Sequence, residues 1–189
     1  ISLGDYISVI NAPTEDKPYY RSYTVQCLGN VAEGRPVKYV NLPINELKMA
    51  AIAQLQSGEP VWFGCDCGQG SSREGMMDTK LYDVEDLFDT TFPMTKAERL
   101  TYRESLMDHA MTLQGVNLDE NGQPNRWRIE NSWGDEAGRD GFYVMSDRWF
   151  GEYTYQIVVN RKYLQEDALA AYDSEPILLA PWDPMGSLA

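Results

Sequence analysis

The alternation of apolar and polar residues predicts a β-hairpin in the second half of the chain. Residues 108–116 and 126–131 both have the pattern of a strand. The turn between them contains Asn121-Gly122, a strong short-range signal for a hairpin. Antiparallel pairing about that turn brings His109 and Asn131 together at its open end.

Similar patterns predict the elements of the remaining chain. Helices are expected over 46–57, with Asn45 as N-cap, and over 165–173. A third helix begins at the capping-box spacing of Thr95–Glu98 and runs toward Met107. Segments rich in β-branched and aromatic residues predict strands at 6–10, 23–28, 61–65, 141–146 and 153–159.

The ends of the predicted hairpin carry residues suited to proton transfer. His109 is the only histidine of the chain, and an imidazole accepts and returns a proton near neutral pH. The side-chain oxygen of Asn131 would hold that ring in one tautomer without adding a charge. Trp133 would cover the hydrogen bond, which strengthens where water is excluded. An imidazole held in this way can act as a general base and acid.

Four segments of the chain carry a resemblance to known proteins: Asp108–Met111, Trp127–Gly134, Trp149–Tyr153 and Trp182–Ala189. Together they resemble the bleomycin hydrolase and aminopeptidase C family of papain-like cysteine peptidases. The likeness extends upstream through 39–43, 61–66 and 97–100, so it covers almost the whole chain. A chance match of four segments in one order is not expected, and the match falls on the family's C-terminal half.

The resemblance implies an α+β fold, the C-terminal part of a papain-like cysteine proteinase with an antiparallel β-barrel and a few helices. Residues 1–107 would form its helical and extended part, and 108–173 the barrel part with the catalytic residues. Residues 174–189 would form an extended C-terminal arm. Three prolines and a glycine in this arm exclude a regular helix, and its apolar residues are unlike a solvated tail.

By the same resemblance, His109 is the catalytic histidine, Asn131 its orienting amide, and Trp133 packing support. The arm would lie in the active-site cleft with Leu188 and Ala189 nearest the scissile bond. Its terminal carboxylate would limit the substrate and pair with the substrate's ammonium group.

The nucleophilic cysteine and the oxyanion-hole glutamine of the family belong to an N-terminal portion that these residues lack. Cys65 precedes His109, but Asp66 follows it, whereas nucleophilic thiols favour basic surroundings. We therefore expect Cys65 to be a buried, inert thiol. Cys65, Cys67 and the single histidine do not have the paired spacing of zinc ligands, so we expect no metal and no cofactor. Because the nucleophile is missing, the chain alone is expected to be inactive. Since Ile1 is not methionine, we expect an excised domain or a processed fragment.

Composition and charge bear on the binding partners and the compartment of the protein. The chain of 189 residues is 43% hydrophobic and carries a net charge of −13 without a basic cluster, so binding to nucleic acid is disfavoured. No segment has the length and hydrophobicity of a membrane span, and three cysteines suit a reducing, cytoplasmic compartment.

The expected function is that of a cysteine aminopeptidase, which removes N-terminal residues from peptides by thiolate attack. Its partners would be peptide substrates and the N-terminal portion of the same protein, in a homo-hexamer when full length. The alternative is a non-catalytic peptide-binding or scaffold subunit that retains the fold.

Overall fold

The computed structural model describes residues 3–29 and 33–187. Short 3-10 turns lie at Leu3–Asp5, Arg161–Tyr163 and Pro184–Gly186. The strands and α-helices of these ranges are β1 (Tyr6–Ile10), β2 (Arg21–Val25), β3 (Tyr39–Asn41), α1 (Ile44–Gln56), β4 (Val61–Cys65), β5 (Met76–Met77), α2 (Val84–Phe88), α3 (Lys96–Tyr102), β6 (His109–Leu118), β7 (Pro124–Glu130), β8 (Phe142–Ser146), α4 (Asp147–Tyr153), β9 (Thr154–Asn160), α5 (Glu166–Asp173) and β10 (Ile177–Leu179).

All ten of these strands form one sheet, in the order β10-β2-β3-β1-β9-β4-β6-β7-β8-β5. Its centre, from β1 to β8, is antiparallel, and the pairs β1–β3, β10–β2 and β5–β8 are parallel. The predicted α+β class is confirmed, but the sheet is open and does not close into the expected barrel. Its edge strands, β10 and β5, have three and two residues and are not paired with each other in the part of the chain that the structure describes. The predicted three-part division stays a prediction.

Two hydrophobic cores lie on opposite faces of this sheet. Successive residues of β1, Val9 and Ile10, belong to different cores, and Val40 and Tyr39 of β3 do likewise. Because side chains alternate between the faces of a strand, the cores must be on opposite sides. The first core packs α1 on the central strands, and the second receives Met185 from the C-terminal arm.

Helix boundaries differ in part from the sequence prediction. The prediction of Asn45 as N-cap is wrong, since α1 begins at Ile44 and the carbonyl of Pro43 already accepts helical hydrogen bonds. The capping box at Thr95–Glu98 is present. Helix α3 ends at Tyr102 and does not continue toward Met107, because the next residue adopts the left-handed conformation that terminates helices.

The predicted hairpin forms between β6 and β7. Pairing runs from Leu118 opposite Pro124 to Thr112 opposite Glu130. In the turn, the carboxylate of Asp119 accepts hydrogen bonds from two backbone N–H groups, at 2.9 and 2.8 Å. This Asx-type turn closes the hairpin at one end and leaves His109 at the other.

Among the described residues, no helix is both long enough and apolar enough to cross a membrane.

Candidate active site

A hydrogen bond joins the two residues that the hairpin was expected to bring together. Nε2 of His109 lies 2.8 Å from Oδ1 of Asn131. Asn131 follows β7 directly and is only 7% exposed, so water competes weakly for this contact.

The neighbouring backbone settles the direction of that hydrogen bond. The N–H of Ser132 donates to the same oxygen of Asn131 at 2.8 Å. A backbone N–H is always a donor, so the atom that it meets must be the amide oxygen. His109 therefore carries its proton on Nε2, which leaves Nδ1 as the basic nitrogen of the neutral ring.

An irregularity in the pairing of β6 with β7 sets the orientation of His109. Leu113 pairs with Ile129, whereas Gly115 pairs with Arg128, so Gln114 is an extra residue in β6. Such a bulge shifts the register of everything before it by one residue.

That shift decides which face of the sheet His109 occupies. Met111 and Leu113 point into the first core, and His109 shares their face because side chains repeat every second residue. Asn131, two residues after the buried Ile129, continues on the same face. Without the bulge, His109 and Asn131 would lie on opposite faces of the sheet.

Aromatic rings cover one side of the imidazole. The rings of Trp133 and His109 are stacked, with centroids 5.0 Å apart and planes 30° apart. Trp133 in turn meets the edge of Tyr143 at 6.2 Å, and Tyr143 is buried in β8. Trp133 remains 55% exposed, so it shields His109 from one side and leaves its own outer face free. Sequence analysis missed Tyr143, although its place in an alternating strand marked it as inward-facing.

Cys65, the residue opposite His109 in the neighbouring strand, has a buried thiol. Cys65 of β4 pairs with His109, but its Sγ lies 3.7 Å from the backbone carbonyl of His109. Complete burial raises the pKa of Cys65 well above its ordinary value, and the nearby Cys67 and Asp108 raise it further. The thiolate is therefore disfavoured, and Cys65 has the character of an inert core thiol.

Asp108 ties the start of β6 to the loop after β4. Its Oδ1 accepts a hydrogen bond from the N–H of Cys67 at 2.8 Å, and its own N–H donates to the carbonyl of Cys65. Burial raises the pKa of Cys67 to about 11, with a further contribution from Asp108. Burial also raises the pKa of Asp66, with Asp108 adding to the effect. These contacts hold the backbone at His109 and were not anticipated.

A cavity of about 410 Å³ adjoins this cluster on the side of Trp133. Its lining includes Cys67, Ser71 and Arg73 from the loop after β4, together with Trp133 and Tyr143. The combination of an aromatic wall, hydroxyls and a guanidinium is suited to part of a peptide. In residues 3–29 and 33–187, no group of three His, Cys, Asp or Glu side chains is placed to hold a metal ion.

The C-terminal arm is docked on the second core. Its strand β10 pairs in parallel with β2, and Met185 is fully buried in the 3-10 turn that follows. The hydroxyl of Ser187 donates to the carbonyl of Met107 at 2.8 Å. The arm thus turns back beside the residue that lies two positions before His109.

Parts of the arm differ from expectation. It is not extended throughout, and within its described part, 174–187, Leu179 and Met185 are buried, whereas Leu178 and Trp182 are exposed. The predicted substrate-limiting residues, Leu188 and Ala189, lie outside the described residues.

Comparison with known proteins identifies the family. The model of the Peptidase C1-like family matches residues 1–186. The chain belongs to this family.

Its relatives within the Peptidase C1-like family are longer than this chain. Aminopeptidase C of Streptococcus thermophilus is 56% identical over 190 residues, which cover 100% of this chain and 43% of that protein. Bleomycin hydrolase of Homo sapiens is 46% identical over 192 residues, which cover 100% of this chain and 42% of that protein. The chain therefore spans less than half the length of these relatives, and it matches their C-terminal part.

A solved structure supports the Peptidase C1-like fold. The crystal structure of PepW from Lactobacillus rhamnosis HN001 has a TM-score of 0.96 and 54% sequence identity to this chain, over 100% of this chain and 43% of that one. The catalytic roles of His109 and Asn131, and the supporting role of Trp133, stay predictions; the structure brings the three side chains together.

Proposed function

We propose that this chain is the C-terminal part of a cysteine aminopeptidase whose nucleophilic cysteine lies in the N-terminal portion of the same protein. The observation that carries the proposal is the hydrogen bond from His109 Nε2 to Asn131 Oδ1, which leaves Nδ1 available as a base. The similarity to proteins named Aminopeptidase C supports it.

The arrangement suits acyl transfer through a thioester. Nδ1 of His109 would take the proton of the cysteine thiol, and the thiolate would attack the carbonyl carbon of the peptide bond. The C–N bond breaks as the same nitrogen returns the proton to the leaving amine. Nδ1 then deprotonates a water molecule, which attacks the thioester carbonyl; the C–S bond breaks, the N-terminal residue leaves as its carboxylic acid, and the proton on Nδ1 returns to the cysteine sulfur. In each imidazolium state, Asn131 would accept a charge-assisted hydrogen bond from the ring.

The same reasoning predicts that the chain alone does not hydrolyse peptides. Cys65 is buried and remains protonated, and its sulfur faces the backbone of His109. Triad members act as a unit, so the loss of the nucleophile removes the covalent route altogether.

Exopeptidase action is proposed to come from the arm. The hydrogen bond between Ser187 and Met107 supports a chain end that lies near His109. A carboxylate at the end of this arm would bind the ammonium group of the substrate and occupy the space of further residues. Removal of Leu188 and Ala189 from the full-length enzyme should shift cleavage toward internal bonds. Unchanged removal of single N-terminal residues would contradict this role.

The activity is tested with unblocked aminoacyl substrates that release a fluorescent group under reducing conditions. The chain alone is compared with the chain plus the N-terminal portion, each with and without His109→Ala. Activity only in the combined sample, and lost with His109→Ala, supports the proposal. Activity of the chain alone that disappears with Cys65→Ser contradicts it. Association without activity supports the alternative of a peptide-binding or scaffold subunit.

Assembly and location are part of the same proposal. We propose that the full-length protein is a cytoplasmic homo-hexamer. The exposed apolar side chains of Leu87 and Phe88 in α2, and of Phe92 after it, support burial against another surface. The three free cysteines fit a reducing compartment. Analytical ultracentrifugation of the full-length protein tests the hexamer.

A further inference from the structure

A buried ion pair holds the C-terminal arm. Nζ of Lys17 lies 2.9 Å from Oδ2 of Asp183, and the two side chains are only 3% and 9% exposed. Lys17 also contacts Asp16 at 2.8 Å. Burial alone would lower the pKa of Lys17, but its contacts with Asp16 and Asp183 outweigh burial and raise it. Lys17 therefore remains protonated near neutral pH.

The carboxylate of Asp183 has a second task within the arm. Its Oδ1 accepts the backbone N–H of Met185 at 2.9 Å and so caps the 3-10 turn Pro184–Gly186. One oxygen shapes the turn while the other contacts Lys17. The orientation of the turn is thus coupled to the position of a single lysine.

Lys17 itself is fixed to the sheet. Asn41 of β3 is fully buried, and its Nδ2 donates to the carbonyls of Lys17 and Ala12 at 2.6 and 2.8 Å. Its Oδ1 accepts from the N–H of Ala12 at 2.9 Å. The loop between β1 and β2 is therefore clamped, and Lys17 is a rigid anchor.

A series of contacts connects the turn Pro184–Gly186 to the residues just before β6, the strand that begins at His109. Met185 fills a fully buried position, and its carbonyl accepts a hydrogen bond from Tyr39 at 3.3 Å. Two residues later, Ser187 contacts the carbonyl of Met107. Met107 is itself buried in the second core and precedes His109 by two positions. Any movement of the 3-10 turn would therefore displace the end of the arm relative to His109.

We propose that Lys17 and Asp183 are positioning residues that hold Ser187 of the arm against Met107, two residues before His109, and thereby set the preference for peptides with a free amino terminus. This inference rests on the proposed aminopeptidase function. Neither side chain contacts His109; they act through the turn Pro184–Gly186 and Ser187.

The test uses the full-length enzyme with Asp183→Asn. This variant removes the negative charge that faces Lys17 but keeps an oxygen that caps Met185, and Lys17 retains Asp16. It is therefore the substitution of this pair that best preserves the fold. The matched control is Asp173→Asn, which weakens an exposed ion pair with Arg161 of 2.6 Å. Lys17→Met is the second variant and breaks the pair from the other side.

Two readouts are compared for each variant. The first is kcat/KM for an unblocked aminoacyl substrate and for an N-acetylated peptide cleaved at an internal bond. The second is the rate at which a carboxypeptidase removes the C-terminal residues, followed by intact mass. We expect the unblocked-to-blocked ratio to fall at least about tenfold in Asp183→Asn, since misplacement near 1 Å has effects of this order. Arm digestion should accelerate in both pair variants and not in Asp173→Asn.

A change in the ratio together with faster arm digestion supports the inference. A parallel fall for both substrates, or an unchanged ratio, overturns it, because a merely structural role would not alter substrate choice. If Lys17→Met fails to fold, Asp183→Asn still distinguishes these outcomes. An inactive wild-type enzyme would refute the proposed function, whereas an active enzyme with an unchanged ratio refutes the positioning role alone.

Discussion

The substitution Asn131→Ala tests the central contact of the candidate site. It removes the oxygen that accepts from both His109 Nε2 and the N–H of Ser132. The stacking on Trp133 then remains, but it does not specify which ring nitrogen carries the proton.

The expected loss follows from the strength of that contact. In the imidazolium state the donor is charged, and hydrogen bonds to charged groups contribute about 1.5–3 kcal/mol. At about 1.4 kcal/mol per factor of ten, this corresponds to a roughly 10- to 150-fold lower kcat/KM. The loss should fall mainly on kcat, since the bond strengthens when the ring is protonated.

The assay measures aminoacyl hydrolysis by the full-length enzyme, with Asn117→Ala as control. Asn117 lies on the same hairpin and donates to Asn125 at 2.7 Å, but this contact is exposed and water can replace it. Nitrogen NMR of the imidazole in the 189-residue chain supplies a second readout, because His109 is the only histidine in that sequence. It should report the Nε2–H tautomer in the wild type and a mixture in Asn131→Ala.

Two results would refute this reasoning. One is a loss in Asn131→Ala no larger than that in Asn117→Ala. The other is a wild-type spectrum of the Nδ1–H tautomer, which would mean that the oxygen of Asn131 does not face the ring.

Three further predictions address the surroundings of the site. Trp127→Ala should lower the free energy of unfolding by about 3–5 kcal/mol, because Trp127 is fully buried, whereas Trp133→Ala should lower it by under about 1 kcal/mol, because Trp133 is half exposed. Urea unfolding measures both variants, and equal losses would contradict the assignment of Trp127 to the core and of Trp133 to the surface. Cys65→Ser should leave kcat/KM of the full-length enzyme within about twofold, and a large loss would restore Cys65 as a catalytic group. Burial, with Asp183 adding, raises the pKa of Tyr39 to about 12, so its stabilising contribution is complete below pH 10 and is lost as pH rises through 12; in urea unfolding between these pH values, Tyr39→Phe should make the fall in the free energy of unfolding less steep by about 1.4 kcal/mol per pH unit, and an unchanged slope would contradict the assignment.

Local pattern was sufficient for many elements because their causes lie within a few residues. The hairpin turn at Asn121-Gly122 and the capping box at Thr95–Glu98 both depend on neighbours in sequence, and both are present. The Asn45 cap failed because Pro43 offered an earlier start for α1. Even there the helix exists, and only its ends differ, by two residues at the start and one at the finish.

The extra residue in β6 marks the limit of such reasoning about the site. Apolar residues at 111, 113 and 116 break the period of two, which is the one sequence signal of the bulge at Gln114. The break does not say which partner strand absorbs it. That depends on the pairing of β6 with both β4 and β7.

The sequence by itself thus determined the elements, the family resemblance, and the choice of His109 and Asn131 as partners, since periodicity and short motifs are local properties. Only the tertiary structure decided the register that places the side chains of His109 and Asn131 on one face of the sheet, the burial that disfavours the thiolate of Cys65, and the contact of Lys17 with Asp183. These features arise from groups far apart in the chain, and their energies depend on which surfaces meet when the sheet and its two cores assemble.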